Sequence, residues 1–267
     1  MVDSSPEAVT PLTEESAIAS LQQEDLSLRY YAAWWLGKFR IRTKAAVNAL
    51  IVALADEDHR TELGDYPLRR NAARALGKLG DRSAIPSLIQ SLECSDFYVR
   101  EAAAQSLEML GTTAAIPALK LLLKDGVEAT KQVTGRPHAV EPCEAVIEAL
   151  GSLGATETVP LIEPFLNQPI VKVQYAALRA LYQLTQNDAY GQRLVNALNG
   201  NDVKLRRVAL TDLGAIGYLP AAEAIAKCAV ESSFKLIALK GLLAHLASEA
   251  NLSESAIEIM SLMDSLL

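Results

Sequence analysis

Apolar residues at Leu68, Ala72, Ala73, Leu76 and Leu79, with Arg69, Arg70, Arg74 and Lys78 set between them, trace the buried stripe and charged face of one amphipathic helix. Gly80 follows as a stop, because glycine takes up the left-handed conformation that ends helices at little cost. A second helix is predicted from near Ser83, with Ile85, Leu88, Ile89 and Leu92 as its apolar positions and Pro86 in its first turn, where a missing N–H costs little. The small residues Ala72 and Ala73 allow close approach of a neighbouring helix. Neither helix can bury its stripe alone, so each unit must be covered by the next.

The unit recurs. Residues 67–88 read PLRRNAARALGKLGDRSAIPSL and residues 98–119 read YVREAAAQSLEMLGTTAAIPAL, an offset of 31 residues. The frame reappears at Leu150, Gly151, Leu153, Gly154 and Pro160, again over 177–184, and at 203–217; backwards it reaches Leu28–Lys38 (LRYYAAWWLGK). TEESAIASLQQED reads as a lone second helix capped by Thr13. The fold class that follows is all-α, a right-handed α-solenoid of HEAT-like helix pairs, with a disordered N-terminal tail over 1–12 and a single array over 13–267 of about six repeats plus caps. The pattern weakens from Phe234 onward and predicts an irregular cap.

Composition agrees with this and excludes much else. Half of the residues are hydrophobic, and strand-like alternation is nowhere sustained. No apolar run reaches the roughly 18 residues of a membrane span, so no membrane insertion is expected, and no secretory leader is visible. The formal net charge of −7 argues against a nucleic-acid partner. Arg29, Arg69, Arg100 and Arg206 recur at one repeat position and are expected to serve the helices themselves. Cys94, Cys143 and Cys228 lack metal-ligand spacing and read as reduced thiols of a cytoplasmic protein. Cys143 stands where two repeats carry arginine, so it is expected to be the least buried of the three. No phosphate loop, nucleophile–base signature or metal motif appears, and no His-Glu dipeptide of the kind a di-iron helical-repeat hydroxylase would need.

Three departures from the repeat stand out. In the helix Tyr30-Tyr31-Ala32-Ala33-Trp34-Trp35, Trp35 aligns with Ala75 and is expected to face the stack, whereas Trp34 aligns with Arg74 and is expected to face outward, the posture of an interface anchor. Two insertions, DEDHRTELGDY (56–66) and DGVEATKQVTGRPHAVE (125–141), lengthen their repeats by about nine and about twelve residues, and long loops on a rigid scaffold are where binding residues concentrate. Two of the three histidines, His59 and His138, fall in them.

The run RYYAAWWLGKFRIRTKAAVNALIVALADE (29–57), followed by DYPLRRNAARALGKLGD (65–81), resembles the alpha (E) subunits of the heterodimeric E/F-type phycobilin lyases, and within them the phycocyanobilin lyases of the phycocyanin alpha chain. The resemblance covers nearly the whole chain. It implies a lyase subunit, active only with an F-type partner, that attaches phycocyanobilin through a thioether bond to a cysteine of the apo-phycocyanin alpha chain. The bilin is then a substrate, with no cofactor bound permanently and no metal. The acceptor supplies the thiol, so no nucleophile is required of the lyase. A bilin's two propionates suit Arg or Lys, its pyrrole nitrogens a carboxylate and its conjugated plane aromatic walls. Tyr30, Tyr31, Trp34, Asp65, Tyr66, Arg69, Arg136 and His138 supply such groups as bilin- or partner-binding candidates, and no catalytic residue is singled out. Two other readings remain at this point: a non-enzymatic HEAT-repeat adaptor in phycobilisome assembly or disassembly, and the related phycoerythrocyanin lyase subunit.

Overall fold

The structure, a computed structural model, describes residues 12–246 and 253–267; the expected tail over 1–12 therefore lies, Leu12 apart, outside the described residues. Among them the chain is helical throughout, with only an isolated antiparallel bridge between Gln132 and Ala139. It falls into two compact units, one ending at Leu110 and the other beginning at Gly111.

The first unit opens on α1 (Glu14–Ser20), capped by Thr13 through a reciprocal bond with Ser16. Two helix pairs follow, α2 (Leu26–Lys38) with α3 (Lys44–Ala53) and α4 (Pro67–Leu79) with α5 (Ile85–Ser91), and then α6 (Phe97–Leu110). The predicted second helix near Ser83 is resolved into a 3-10 turn over Arg82–Ala84 and an α-helix from Ile85. The second unit begins with α7 (Ile116–Leu122) and continues through the pairs α8 (Cys143–Ser152) with α9 (Val159–Ile162), α10 (Val171–Thr185) with α11 (Asp188–Ala197), α12 (Val203–Ala215) with α13 (Ala222–Lys227), and α14 (Ser232–Leu246) with α15 (Glu254–Asp264).

Within each unit the first helices of successive pairs lie side by side: α2 on α4 and α4 on α6, then α8 on α10 and α12 on α14. One repeat position makes this possible. A Cβ on Gly37 would sit 2.8 Å from the Ala75 Cα, and one on Gly151 would sit 2.6 Å from the Ala180 Cα. At these crossings the backbones approach as closely as two helices can, and only hydrogen fits. Leu36, Leu50, Leu68, Leu76 and Leu88 fill the first core, Ile147, Leu150 and Phe165 the second, all fully buried.

The recurrent arginines are helix caps. Arg29 Nε donates to the Leu21 carbonyl at 3.0 Å, Arg69 Nε to the Asp56 carbonyl at 2.5 Å, Arg100 Nη1 to the Cys94 carbonyl at 2.7 Å and Arg206 Nη1 to the Gly200 carbonyl at 2.6 Å. Each guanidinium thus satisfies carbonyls at the end of the preceding second helix, where the helix dipole also favours a cation. Cys143 fills this position in α8, and the expectation that it would be the least buried of the three thiols is overturned: it is 2% exposed, while Cys94 is half-buried. Burial, reinforced by the neighbouring Glu141 carboxylate, pushes its thiol up to about 12.

Candidate functional site

Helix α2 is apolar on both sides. Its inner side buries Ala32, Ala33, Leu36 and Gly37. At helical spacing on the other side stand Leu28, Tyr31, Trp34, Trp35 and Phe39, with Lys38 among them. Trp34 is 41% exposed and Tyr31 47%, and their rings stack at 5.5 Å between centroids with 29° between planes. Tyr30 lies at the edge of this face, and its carbonyl accepts from Asn71 Nδ2 of α4 at 3.2 Å. A helix packed on α1 and α4 that still leaves an apolar outer face uncovered is built to meet a second body.

The outward posture of Trp34 is as expected. Trp35 is not in the core as expected; it is half-buried, its ring 5.0 Å from that of Phe39. Its counterpart Ala75 is buried because it faces the preceding first helix at Gly37. Among the described residues no first helix precedes α2, so the same position there is covered only in part. Phe39, 58% exposed, joins the aromatic face. Sequence reasoning passed over it, although its counterpart Leu79 is a core residue.

The first insertion folds back tightly onto this region. Asp56 pairs with Arg29, and its Oδ1 accepts the His59 N–H at 2.8 Å. Thr61 and Asp65 close a turn, the Thr61 N–H donating to the Asp65 carbonyl at 2.9 Å and the Asp65 N–H to Thr61 Oγ1 at 3.0 Å. Tyr66 is only 5% exposed. Its hydroxyl donates to Glu57 Oε2 at 2.9 Å, the Arg69 guanidinium lies 4.3 Å and the Arg60 guanidinium 5.0 Å from its ring centre, and Arg69 also pairs with Glu57. The hydrogen bond from Tyr66 and the one from Arg69 hold the Glu57 carboxyl below its ordinary value, and the same Glu57 raises the Tyr66 phenol. The Tyr66 N–H donates to Asp96 Oδ2 at 2.6 Å. Three of the candidates, Asp65, Tyr66 and Arg69, are thus brought together as the frame of this loop. Beside them Arg69, Glu57 and Cys94 line an open cavity of about 380 Å³. Glu57 and Asp96 were missed as frame residues; the signal available was an aspartate two places before Tyr98 at a helix start.

Arg136 and His138 belong to the second insertion, in the second unit. There the Val133 N–H donates to the His138 carbonyl at 3.0 Å and the Arg136 N–H to the Val133 carbonyl at 3.0 Å, around Gly135 at φ +76°. His138 Nδ1 lies 2.8 Å from the Ala139 carbonyl, and both side chains are half-buried. Among the described residues no group of three His, Cys, Asp or Glu side chains is placed to hold a metal, and no helix is long and apolar enough to cross a membrane.

Comparison with known proteins places this geometry. Residues 61–134 match the HEAT repeats family, and residues 28–56 and 173–200 match the PBS lyase HEAT-like repeat. The chain is 67% identical to a phycocyanobilin lyase subunit alpha of a Nostoc species over 96% of this chain and 94% of that protein. It is 59% identical to the same-named subunit of Thermosynechococcus vestitus, over 96% and 95% of the two chains, and 42% identical to the bilin biosynthesis protein PecE of Nostoc, over 96% of each. A chain in the solved complex of CpcE and CpcF of phycocyanin lyase from Nostoc superposes with a TM-score of 0.92, at 66% identity and covering all of both chains.

Proposed function

The chain belongs to the phycocyanobilin lyase alpha-subunit family, and from that premise we propose that it acts with an F-type partner, in the cytoplasm, to attach phycocyanobilin through a thioether bond to a cysteine of the apo-phycocyanin alpha chain. The observation that carries this reading is the outer face of α2. A stacked, exposed Tyr31–Trp34 pair on a helix that no first helix precedes among the described residues is a platform for a conjugated plane or a partner surface.

The atom balance also fits. The acceptor thiol adds across the bilin's exocyclic double bond; the sulfur forms the new C–S bond, and its proton is accounted for by protonation of the bilin. The lyase contributes no bond. Its cysteines suit that role: Cys143 and Cys228 are buried, with burial raising both thiols. What remains for the protein is to hold a flexible pigment and an acceptor in one orientation. Tyr30, Tyr31 and Trp34 provide the contact face, while Asp65, Tyr66 and Arg69 keep the first insertion in place against α4. Arg136 and His138 form a second, separately braced loop that the acceptor or partner can reach.

The test is co-expression with the F-type subunit, a phycocyanobilin source and the apo-phycocyanin alpha chain. Covalently coloured alpha chain on a denaturing gel is expected only when both subunits are present. Equal product from the F-type subunit alone, or none from the pair, would refute the reading.

A further inference from the structure

The turn that joins α2 to α3 breaks the rules that the other repeats keep. In the second repeat Leu79 is buried and Gly80 takes φ +73°. Gly111, Gly154 and Gly217 likewise close their helices at φ +61°, +72° and +65°. In the first repeat these two places hold Phe39, which is exposed, and Arg40, which takes φ +54°. A side chain in this conformation is strained, and strain of this kind persists where function requires it. Among the described residues the other non-glycine residue at positive φ is Gln186, and its amide turns back to donate to the Tyr182 and Gln183 carbonyls at 3.3 Å, so its side chain serves the cap itself. Arg40 makes no such bond among the described residues.

A second local rule is broken four residues on. Lys44 opens α3, where the helix dipole disfavours a cation, and the first turn holds no acidic residue to offset it. Lys38, Arg40, Arg42 and Lys44 are all exposed and, among the described residues, form no ion pair. The carboxylate contact of this turn is made by Glu14 with the Thr43 hydroxyl. Four uncompensated cations within seven residues, on a chain of net charge −7, adjoin the exposed rings of Trp34 and Phe39.

We propose that this turn is the carboxylate subsite for the bilin: the two propionates dock on Lys38, Arg40 and Arg42 while the conjugated rings lie along Trp34 and Phe39. The inference rests on the lyase reading for the identity of the ligand. A planar π-system bearing two carboxylates needs an aromatic wall with cations at one end, and this is the place in the first unit where both are exposed together. Arg69 is already committed to Glu57 and to helix carbonyls, whereas the cations of this turn are at liberty to take an anion.

The test uses the co-purified heterodimer and two probes, free phycocyanobilin and its dimethyl ester, followed by absorbance titration. The wild type should bind the free acid about tenfold or more tightly than the ester. Arg40→Gly combined with Arg42→Gln should abolish that preference, whereas Lys78→Gln, at the matching place on α4, should leave it intact. Because glycine relieves the strain at position 40, Arg40→Gly should melt no lower than the wild type, so weakened binding cannot be ascribed to unfolding. Equal binding of acid and ester by the wild type would overturn the subsite. So would unchanged bilin binding in the double variant, including the case where only capture of the apo-phycocyanin alpha chain is lost and the cations meet protein instead. Each readout is binding rather than ligation. A heterodimer that prefers the acid but forms no covalent product would sink the lyase reading and leave the subsite standing.

Discussion

Tyr31 and Trp34 stack on the outward face of α2, one helical turn apart, with both rings exposed. The pair contributes little to the core behind it, which is filled by Ala32, Ala33 and Leu36. Trp34→Ala should therefore leave the melting temperature close to that of the wild type and weaken partner, acceptor or bilin binding by about 2 kcal/mol or more, as loss of an aromatic anchor does. Trp35→Ala is expected to cost about 1–2 kcal/mol of stability, less than a fully buried indole, because part of its surface is already in water. Thermal melts and co-purification of both variants decide the matter; a Trp34→Ala protein that melts lower than Trp35→Ala would show that Trp34 supports the core.

Gly37 marks a different kind of constraint. Its Cα faces Ala75 so closely that a Cβ would lie 2.8 Å from backbone. Gly37→Val should force α2 and α4 apart and destabilise the first unit by about 3 kcal/mol or more, beyond the usual cost of overpacking, since backbone and not a flexible side chain must move. Urea unfolding of the variant at wild-type stability would refute the close crossing.

Much of this was legible in the sequence. The Leu-Ala-Gly frame repeating at 31 residues specifies helix pairs, because each stripe needs a neighbour, and the alignment of Trp34 with Arg74 was enough to turn its ring outward. What could not be read depends on which neighbours are present. Trp35 is half-covered because α2 has no preceding first helix, a fact of position in the stack that its own repeat does not encode. Cys143 is buried although arginine occupies its place elsewhere, since the small thiol withdraws where a guanidinium reaches out to cap a helix. Tyr66 and Arg69 have the residue types of a ligand wall and its cation. Only the fold reveals that the ring is covered and the guanidinium spent on Glu57 and the Asp56 carbonyl.

Asp96 ties two helix starts together. Its Oδ2 accepts from the Tyr66 N–H at 2.6 Å, just before α4, and its Oδ1 from the Tyr98 N–H at 2.7 Å in α6. The side chain is buried, so truncation takes the partner from both donors and leaves the buried Tyr66 N–H unsatisfied. Asp96→Ala should cost about 2–4 kcal/mol, the sum of a lost cap and an unsatisfied buried group, and should increase hydrogen exchange across residues 56–66. Exchange in that loop at the wild-type rate would show that Asp96 does not brace it.

The three thiols should differ in reactivity. Cys143, held near 12, presents almost no thiolate at pH 8, and burial raises the Cys228 thiol as well, whereas Cys94 is half-exposed beside the open cavity. Iodoacetamide at that pH should label Cys94 first and Cys143 last, as read by peptide mass mapping. Early labelling of Cys143 in the folded protein would contradict its burial.

His59 gives the first insertion a pH dependence whose sign follows from its surroundings. Burial lowers its folded value below the ordinary 6.5; Arg29 pushes the same way, and Asp56 opposes them. The unfolded chain therefore takes up the proton first, and stability falls as the pH drops below 6.5 until the lower folded value is passed. Glu57 acts in a separate window. Its folded value is depressed below 4.5 by the hydrogen bonds from Tyr66 and Arg69, so its stabilisation is present above that value and is lost as the pH falls through the folded one. Melting temperature measured from pH 7.5 to 3.5 should thus decline in two steps. His59→Asn should flatten the upper step and leave the lower, and Glu57→Gln should leave the upper and only diminish the lower, since the carboxyls of Asp81, Glu223 and Glu231 are depressed by their own hydrogen bonds as well. A His59→Asn variant that still declines between pH 6.5 and 5 as steeply as the wild type would remove His59 from the account.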